Sequence, residues 1–189
     1  MNAKSKTGSM LCFCAGVIIL LLLDQLTKQA AQQTLQGNDA FPIIAGIFEL
    51  RYLENKGSAF GMLQGQRGLF IMMAVLMFFF IPYIYYKIPL TKRFWYLRVI
   101  AVLFLSGAAG NAIDRIRYGY VIDFFYFSLI DFPIFNVADI YVTVSTFLLI
   151  ILILFYYRDE DFAQIHVFQK PEKAGSDVTS DAASDKEDS

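Results

Sequence analysis

The sequence predicts an all-α polytopic membrane protein with four transmembrane helices. Three observations carry that expectation. Long apolar stretches recur at residues 10–31, 68–86, 94–113 and 137–157, and at about 1.5 Å per helical residue each can cross a hydrocarbon core of about 30 Å. With 57% hydrophobic residues among only 189 and a mean hydropathy of +0.49, the chain is too apolar for a soluble domain and too short for more than a few spans. Lys87, Lys92, Arg93 and Arg98 follow the second stretch without an intervening acid, which by the positive-inside rule makes that short loop cytoplasmic, together with Lys4 and Lys6.

Residues 1–9 form a short basic N-terminus, and the apolar run after it begins as a signal peptide would. No small-x-small cleavage site closes the run, so it counts as a span. It ends in Asp24-Gln25-Leu26-Thr27-Lys28. Asp24 and Lys28 share a helix face at i,i+4, which predicts an ion pair near the far interface that fixes the helix against its neighbours, with Lys28 reaching towards the headgroups. Cys12 and Cys14 lie in the same apolar run and suit small hydrophobic packing; the chain has no other cysteine with which to build a disulfide framework or zinc site.

Residues 32–67 are more polar and form an outer segment, with a turn signal at Gly37-Asn38-Asp39 and a breaker at Pro42. Alternation over residues 47–54 puts Phe48, Leu50 and Tyr52 on one side and Glu49 and Arg51 on the other, predicting a short strand or two. Asn55-Lys56-Gly57-Ser58-Ala59-Phe60-Gly61 follows, and its small residues allow close approach of an extended peptide, although such a run is also simply a turn. Pro82 falls near the end of the second span, where it is tolerated. The third ends with small residues at Ser106 and Gly110, four apart, which permits close helix contact. Four spans return both termini to one side, so residues 32–67 and 114–136 share the outer face. Residues 158–189 form a cytoplasmic, largely disordered acidic tail; from Pro171 on it carries a net charge of −4 and no aromatic residue, so the chain's −1 becomes about +3 without it.

Residues 111–139 carry Asp114, Asp123, Asp131 and Asp139 between two apolar runs, and carboxylates at a membrane boundary are costly enough to need a reason. Asp139 falls in the first turn of the fourth helix and Asp123 in the loop before it, so the connection must fold back, with Pro133 supplying a bend. Two carboxyls held close in a poor dielectric share one proton, an arrangement that can activate water and protonate a leaving amine. Two structural readings stand beside this: Asn136 and Asp139 as an N-cap pair, and Asp123 paired with Arg115 or Arg117. The single histidine, His166, lies beyond the last span, which disfavours a metal site. No G-x-S-x-G is present, and no Cys/His pair lies near the outer face. A proton- or cation-coupled transporter is the competing class, but the aspartates gather at one face rather than mid-span and no internal repeat is evident. A subunit of a larger assembly, with the acidic tail as its docking arm, is a third.

Several blocks in order, Asp24-Gln-Leu-Thr-Lys28, Asn55-Lys-Gly-Ser-Ala-Phe60, Gly110-Asn-Ala-Ile-Asp-Arg115, Gly119-Tyr-Val-Ile-Asp-Phe124 and Phe135-Asn-Val-Ala-Asp139, resemble the bacterial lipoprotein signal peptidase (signal peptidase II) family over about residues 10–157. The resemblance implies an aspartic endopeptidase of the inner membrane that cleaves diacylglyceryl-modified prolipoproteins before the lipidated cysteine. Its site would face the periplasm, both termini the cytoplasm. It implies a small periplasmic sheet cradle beside a short helix, no cofactor, no metal and no nucleic acid; a monomer among membrane lipids is expected. By similarity Asp123 and Asp139 are the catalytic pair. Asn111, Asp114, Arg115 and Asn136 line or brace the site, Asn55 and Gly57 lie near bound substrate, and Asp24 and Lys28 support fold or site.

Overall fold

The computed structural model describes residues 3–57 and 66–165. Eight elements follow one another: α1 (Ala3–Leu35), β1 (Phe41–Ile44), β2 (Phe48–Asn55), α2 (Arg67–Lys87), α3 (Trp95–Arg117), β3 (Val121–Tyr126), α4 (Val137–Phe155) and α5 (Asp159–Gln164). The first four α-helices are long and apolar enough to cross a membrane, and their outward Leu, Ile, Phe and Met side chains are exposed. Cys12 and Cys14 are free and sit on the exposed side of α1.

Helix α3 is central and packs on α1, α2 and α4. Its small residues make this possible. A Cβ on Gly107 would fall 2.5 Å from the Ala138 carbonyl oxygen and 2.7 Å from Val142 Cγ2, so α4 approaches as closely as backbone allows. Gly110 faces the Asp24 carboxylate of α1 and the Ala138 methyl of α4. Ser106 is buried and gives its hydroxyl to Val102 O at 2.7 Å, keeping its donor satisfied within α3.

Two helices run further than the sequence pattern indicated. Helix α1 has 33 residues, about 50 Å, and continues through residues 32–35 because Ala31 and Leu35 bury against Ile122 and Phe124 of β3. Helix α3 includes residues 114–117, so Asp114 and Arg115 belong to its last turn rather than to a loop. The outer segments form an antiparallel sheet of order β1-β2-β3. Leu50 and Tyr52 face the α1 cluster, as the alternation predicted. The short outer helix that the resemblance implied has, among the described residues, only a 3-10 turn at Ser128–Ile130 as counterpart; residues 58–65, with the rest of the Asn55 motif, lie outside them.

At the opposite end of the bundle Phe94 stacks on Tyr157 at 5.7 Å, and Arg93 holds both Asp161 carboxylate oxygens at 3.0 and 2.7 Å. Residues 159–164 are therefore a helix rather than part of a disordered tail: Asp161 accepts the Arg158 N–H at the start of α5 and, through Arg93, ties the helix to the segment just before α3. His166 and the acidic run from Pro171 lie outside the described residues.

Candidate active site

The site begins with strand geometry. Ile122 and Phe124 of β3 point to the α1 cluster, so the alternate positions Val121 and Asp123 turn towards a cavity of about 1370 Å³ between sheet and helices. All of Val121 to Phe124 is buried. Beyond β3 the chain reverses through the 3-10 turn Ser128–Ile130 and through Asp131, whose φ of 49 is left-handed, rather than through Pro133 alone. An antiparallel bridge then zips it shut: Phe124 and Phe125 donate to the Phe135 carbonyl at 3.0 and 2.8 Å, and Phe135 donates to the Phe125 carbonyl at 3.0 Å. This brings Asn136 against Asp123.

Asn136, fully buried, joins the two aspartates. Its amide nitrogen lies 2.6 Å from Asp123 Oδ1, and its amide oxygen accepts the Asp139 backbone N–H at 2.9 Å. Asp139 Oδ2 in turn accepts the Asn136 N–H at 3.1 Å, which completes a capping box on α4. Asp139 Oδ1 takes the Asn111 amide at 2.7 Å, and Asp123 Oδ2 takes the Asn55 amide at 2.9 Å. Both carboxyls therefore meet neutral amides, and neither forms an ion pair among the described residues. Burial, and after it the charge on Asp139, push the Asp123 carboxyl up to about 7, overcoming the amides of Asn55 and Asn136 and the attraction of Lys28.

The pairing of Asp123 with Arg115 or Arg117 is not what forms. Arg115 donates to the carbonyls of Gly57, at 2.9 Å, and Asn111, at 3.3 Å, and its guanidinium lies 4.3 Å from the Phe70 ring centre. It thereby ties the end of β2 to α3 and α2. Gly57 also donates its N–H to Asn55 Oδ1 at 2.9 Å, which orients the Asn55 amide with its nitrogen towards Asp123.

Lys28 departs from the expected position near the headgroups. It is 2% exposed and inside the bundle, 3.0 Å from Asp24 Oδ2, 2.9 Å from Asp114 Oδ2 and 2.8 Å from Asn111 Oδ1. The longer α1 explains this, since Asp24 and Lys28 sit well before the helix end. Asp24 Oδ1 accepts the Ala138 N–H at 2.9 Å, pinning the start of α4, and Asp114 Oδ2 accepts from Ile122 N at 3.3 Å, pinning β3. Gln25, which the sequence pattern did not single out, bridges the two carboxylates at 3.1 and 3.0 Å. Its place inside the Asp24–Lys28 block was the available signal. All ten residues singled out thus meet in one hydrogen-bonded assembly. Asp131 alone of the four aspartates stays apart, at the cavity rim, accepting from the Tyr126 hydroxyl.

A family model described as signal peptidase (SPase) II matches residues 16–155 of this chain. The chain belongs to the signal peptidase II family. Lipoprotein signal peptidases of Clostridioides difficile and Halothermothrix orenii are 41% identical over 140 residues and 40% identical over 135, covering 74% and 71% of this chain and 93% and 90% of theirs. One from Streptococcus pyogenes is 38% identical over 150 residues, or 79% of this chain and 95% of its own. Two solved structures, each titled a bacterial membrane enzyme, superpose with TM-scores of 0.67 and 0.65 at 29% and 28% identity, covering 76% and 77% of this chain and 87% and 94% of theirs. The motifs of this signal peptidase II chain all fall inside the matched region. The acidic tail does not.

Proposed function

We propose that this signal peptidase II chain is an aspartic endopeptidase in which Asp123 and Asp139 jointly activate water and protonate the leaving amine. Its substrates are diacylglyceryl-modified prolipoproteins, cut immediately before the lipidated cysteine. The observation that carries the proposal is a pair of carboxyls opening on one cavity, Asp123 buried and Asp139 partly buried, both held by neutral amides, with the Asp123 carboxyl pushed to about 7 so that one proton is available near neutrality.

The chemistry follows from that arrangement. Water attacks the carbonyl carbon of the residue before the modified cysteine while its proton passes to the anionic member of the pair. The other member protonates the amide nitrogen, the C–N bond breaks, and the products are a signal-peptide carboxylate and a free amine on the lipidated cysteine. The cavity supports this substrate class: Phe70, Met73, Met77, Phe104 and Val144 line it on the helix side, and Arg51, Glu54, Lys56 and Asp131 on the sheet side. A chain tethered by acyl chains is already held at this level of the bilayer. The sheet then faces the periplasm of a bacterial inner membrane, both termini face the cytoplasm, and the protein acts as a monomer with no metal or cofactor.

The test is cleavage of a lipidated precursor by the purified protein in detergent. Asp123→Asn and Asp139→Asn are each expected to stop cleavage while leaving folding and binding of a precursor peptide intact, since an amide neither accepts nor donates the proton in transit. Near wild-type turnover in either variant refutes the pair, and Asp114 becomes the candidate.

A further inference from the structure

We propose that the tip of the β1–β2 hairpin and the 3-10 turn Ser128–Ile130 form a second membrane-contacting surface, one that sinks into the interfacial layer of the leaflet on the sheet side of the bundle. The occupant of this surface is lipid, the headgroup boundary and upper acyl chains. The inference stands whether or not Asp123 and Asp139 act as proposed.

Composition is the first observation. From Phe41 to Phe48 the chain reads FPIIAGIF, a hairpin with no polar side chain even at its turn, where water-facing hairpins carry Asn, Asp or Ser. These residues are not covered by the rest of the protein. Ile43 and Ile44 are 52% and 53% exposed, and Leu129 and Ile130 are 67% and 68% exposed. The turn and the hairpin are neighbours, because Leu129 donates its N–H to the Ile47 carbonyl. Isolated exposed apolar residues need no explanation, but two adjoining loops built from them do.

Position in the fold says what covers them. The sheet lies across the bundle end instead of projecting from it, because both ends of β2 are tied to helix ends. At one end Leu50 pairs with Phe125, which is bridged to Phe135, the residue before the N-cap of α4. At the other, Asn55 pairs with Val121, close behind the end of α3. A run of ring contacts joins the tip to that same helix start: Phe48 to Phe127 at 4.9 Å, Phe127 to Phe135 at 5.9 Å, and Phe132 to Phe135 at 5.8 Å. Residues 131–134 share a cavity wall with Ile140 and Val144 of α4. The exposed tip is thus continuous with the lipid-facing surface of a spanning helix, at the level where that helix enters the bilayer. Polar groups begin just behind it, with Glu49, the Arg51 guanidinium over the Tyr126 ring at 5.6 Å, and Asp131. Apolar residues leading and charged residues trailing is the order in which an interfacial segment meets a membrane.

Depth-dependent fluorescence quenching in liposomes tests this on the full chain. In a C12A/C14A background, single cysteines I44C and I130C carry a nitrobenzoxadiazole label; D39C serves as the water-facing control and F147C, on the exposed face of α4, as the lipid-facing one. Lipids spin-labelled at the headgroup, at the carbonyl end of the acyl chain or at its methyl end supply the quencher. At positions 44 and 130 emission should be blue-shifted relative to D39C and quenched most by the label at the carbonyl end, at least about twofold more than D39C; F147C should respond most to the deep label. If both tip positions match D39C, the surface faces water and the proposal fails. It fails equally if their emission is blue-shifted without lipid quenching and reverts when the protein is diluted to one copy per nanodisc, because a second copy is then the cover. An F41C or I47C variant with the same outcome sets removes dependence on any one variant's folding.

Discussion

Lys28→Met is the most informative perturbation of the assembly beneath the proposed catalytic pair. The wild-type ammonium is 2% exposed and serves two carboxylates, Asp24 and Asp114, themselves 0% and 1% exposed, at 3.0 and 2.9 Å. Methionine fills nearly the same volume, so the lost interaction is electrostatic rather than a cavity. Removing one partner of a buried pair costs about 3–5 kcal/mol because the remaining charge is left uncompensated. With two carboxylates stranded, the upper end of that range is expected, a fall in melting temperature on the order of 10 °C. The measurement is thermal unfolding in detergent followed by intrinsic fluorescence. The triple variant D24N/K28M/D114N provides the internal check: the amide oxygen introduced by D24N can still accept from Ala138 N, no charge is stranded, and most of the lost stability should return. A Lys28→Met protein melting within about 2 °C of wild type would refute the reasoning. Because Lys28 also orients Asn111, whose amide reaches Asp139 at 2.7 Å, the triple variant should regain stability without regaining full turnover.

Three further outcomes are expected. Gly107→Ala forces α3 and α4 apart, since its methyl meets the Ala138 carbonyl at 2.5 Å, a backbone atom with nowhere to go; overpacking of this kind costs about 1–3 kcal/mol and is read as lowered melting temperature. Asp123 has a folded pKa of about 7 against an unfolded value near 3.8, so the native state holds the extra proton between those limits. Stability therefore declines as pH rises through that window, and cleavage that needs the protonated carboxyl falls above about pH 7, measured as an alkaline limb that moves to lower pH in any active variant relieving the Asp139 charge. Asn136→Asp keeps an acceptor for the α4 cap but loses the donor to Asp123 and adds a third carboxyl, so helix content by circular dichroism should persist while turnover is lost.

The spans were legible because their apolar runs are long and their boundaries carry charge, and β2 was legible because Leu50 and Tyr52 bury one face while Glu49 and Arg51 leave the other polar. Strand β3 was not, for a physical reason. Val121, Ile122, Asp123 and Phe124 are all buried, with the α1 cluster on one side and the cavity on the other, so no alternation survives to be read. The end of α1 was missed because Gln32 and Gln33 look like loop, while the contacts that keep the chain helical, Ala31 and Leu35 on β3, are remote in sequence. Lys28 illustrates the same limit. Its spacing from Asp24 announced an ion pair, but the second carboxylate comes from Asp114 and the third contact from Asn111, on another helix.

The capping and catalytic readings of residues 136–139 competed only as long as each hydrogen bond had a single use. The capping box is present, yet it consumes one oxygen of Asp139 and one oxygen of Asn136. What remains is Asp139 Oδ1, held by Asn111, and the Asn136 amide nitrogen, held 2.6 Å from Asp123. The bonds that start α4 therefore also orient the Asp139 carboxyl and the Asn136 amide that meets Asp123, since rotating Asp139 or Asn136 would break the cap as well as the contact with Asn111 or Asp123. A proton-sharing pair needs its members held at a set separation through a reaction cycle in which charge moves between them. A helix N-terminus closed by a reciprocal side-chain lock supplies that rigidity. On the proposed mechanism the cap's part is positional: it holds Asp139 in register with Asp123 through Asn136, so that the two can share one proton as a pair.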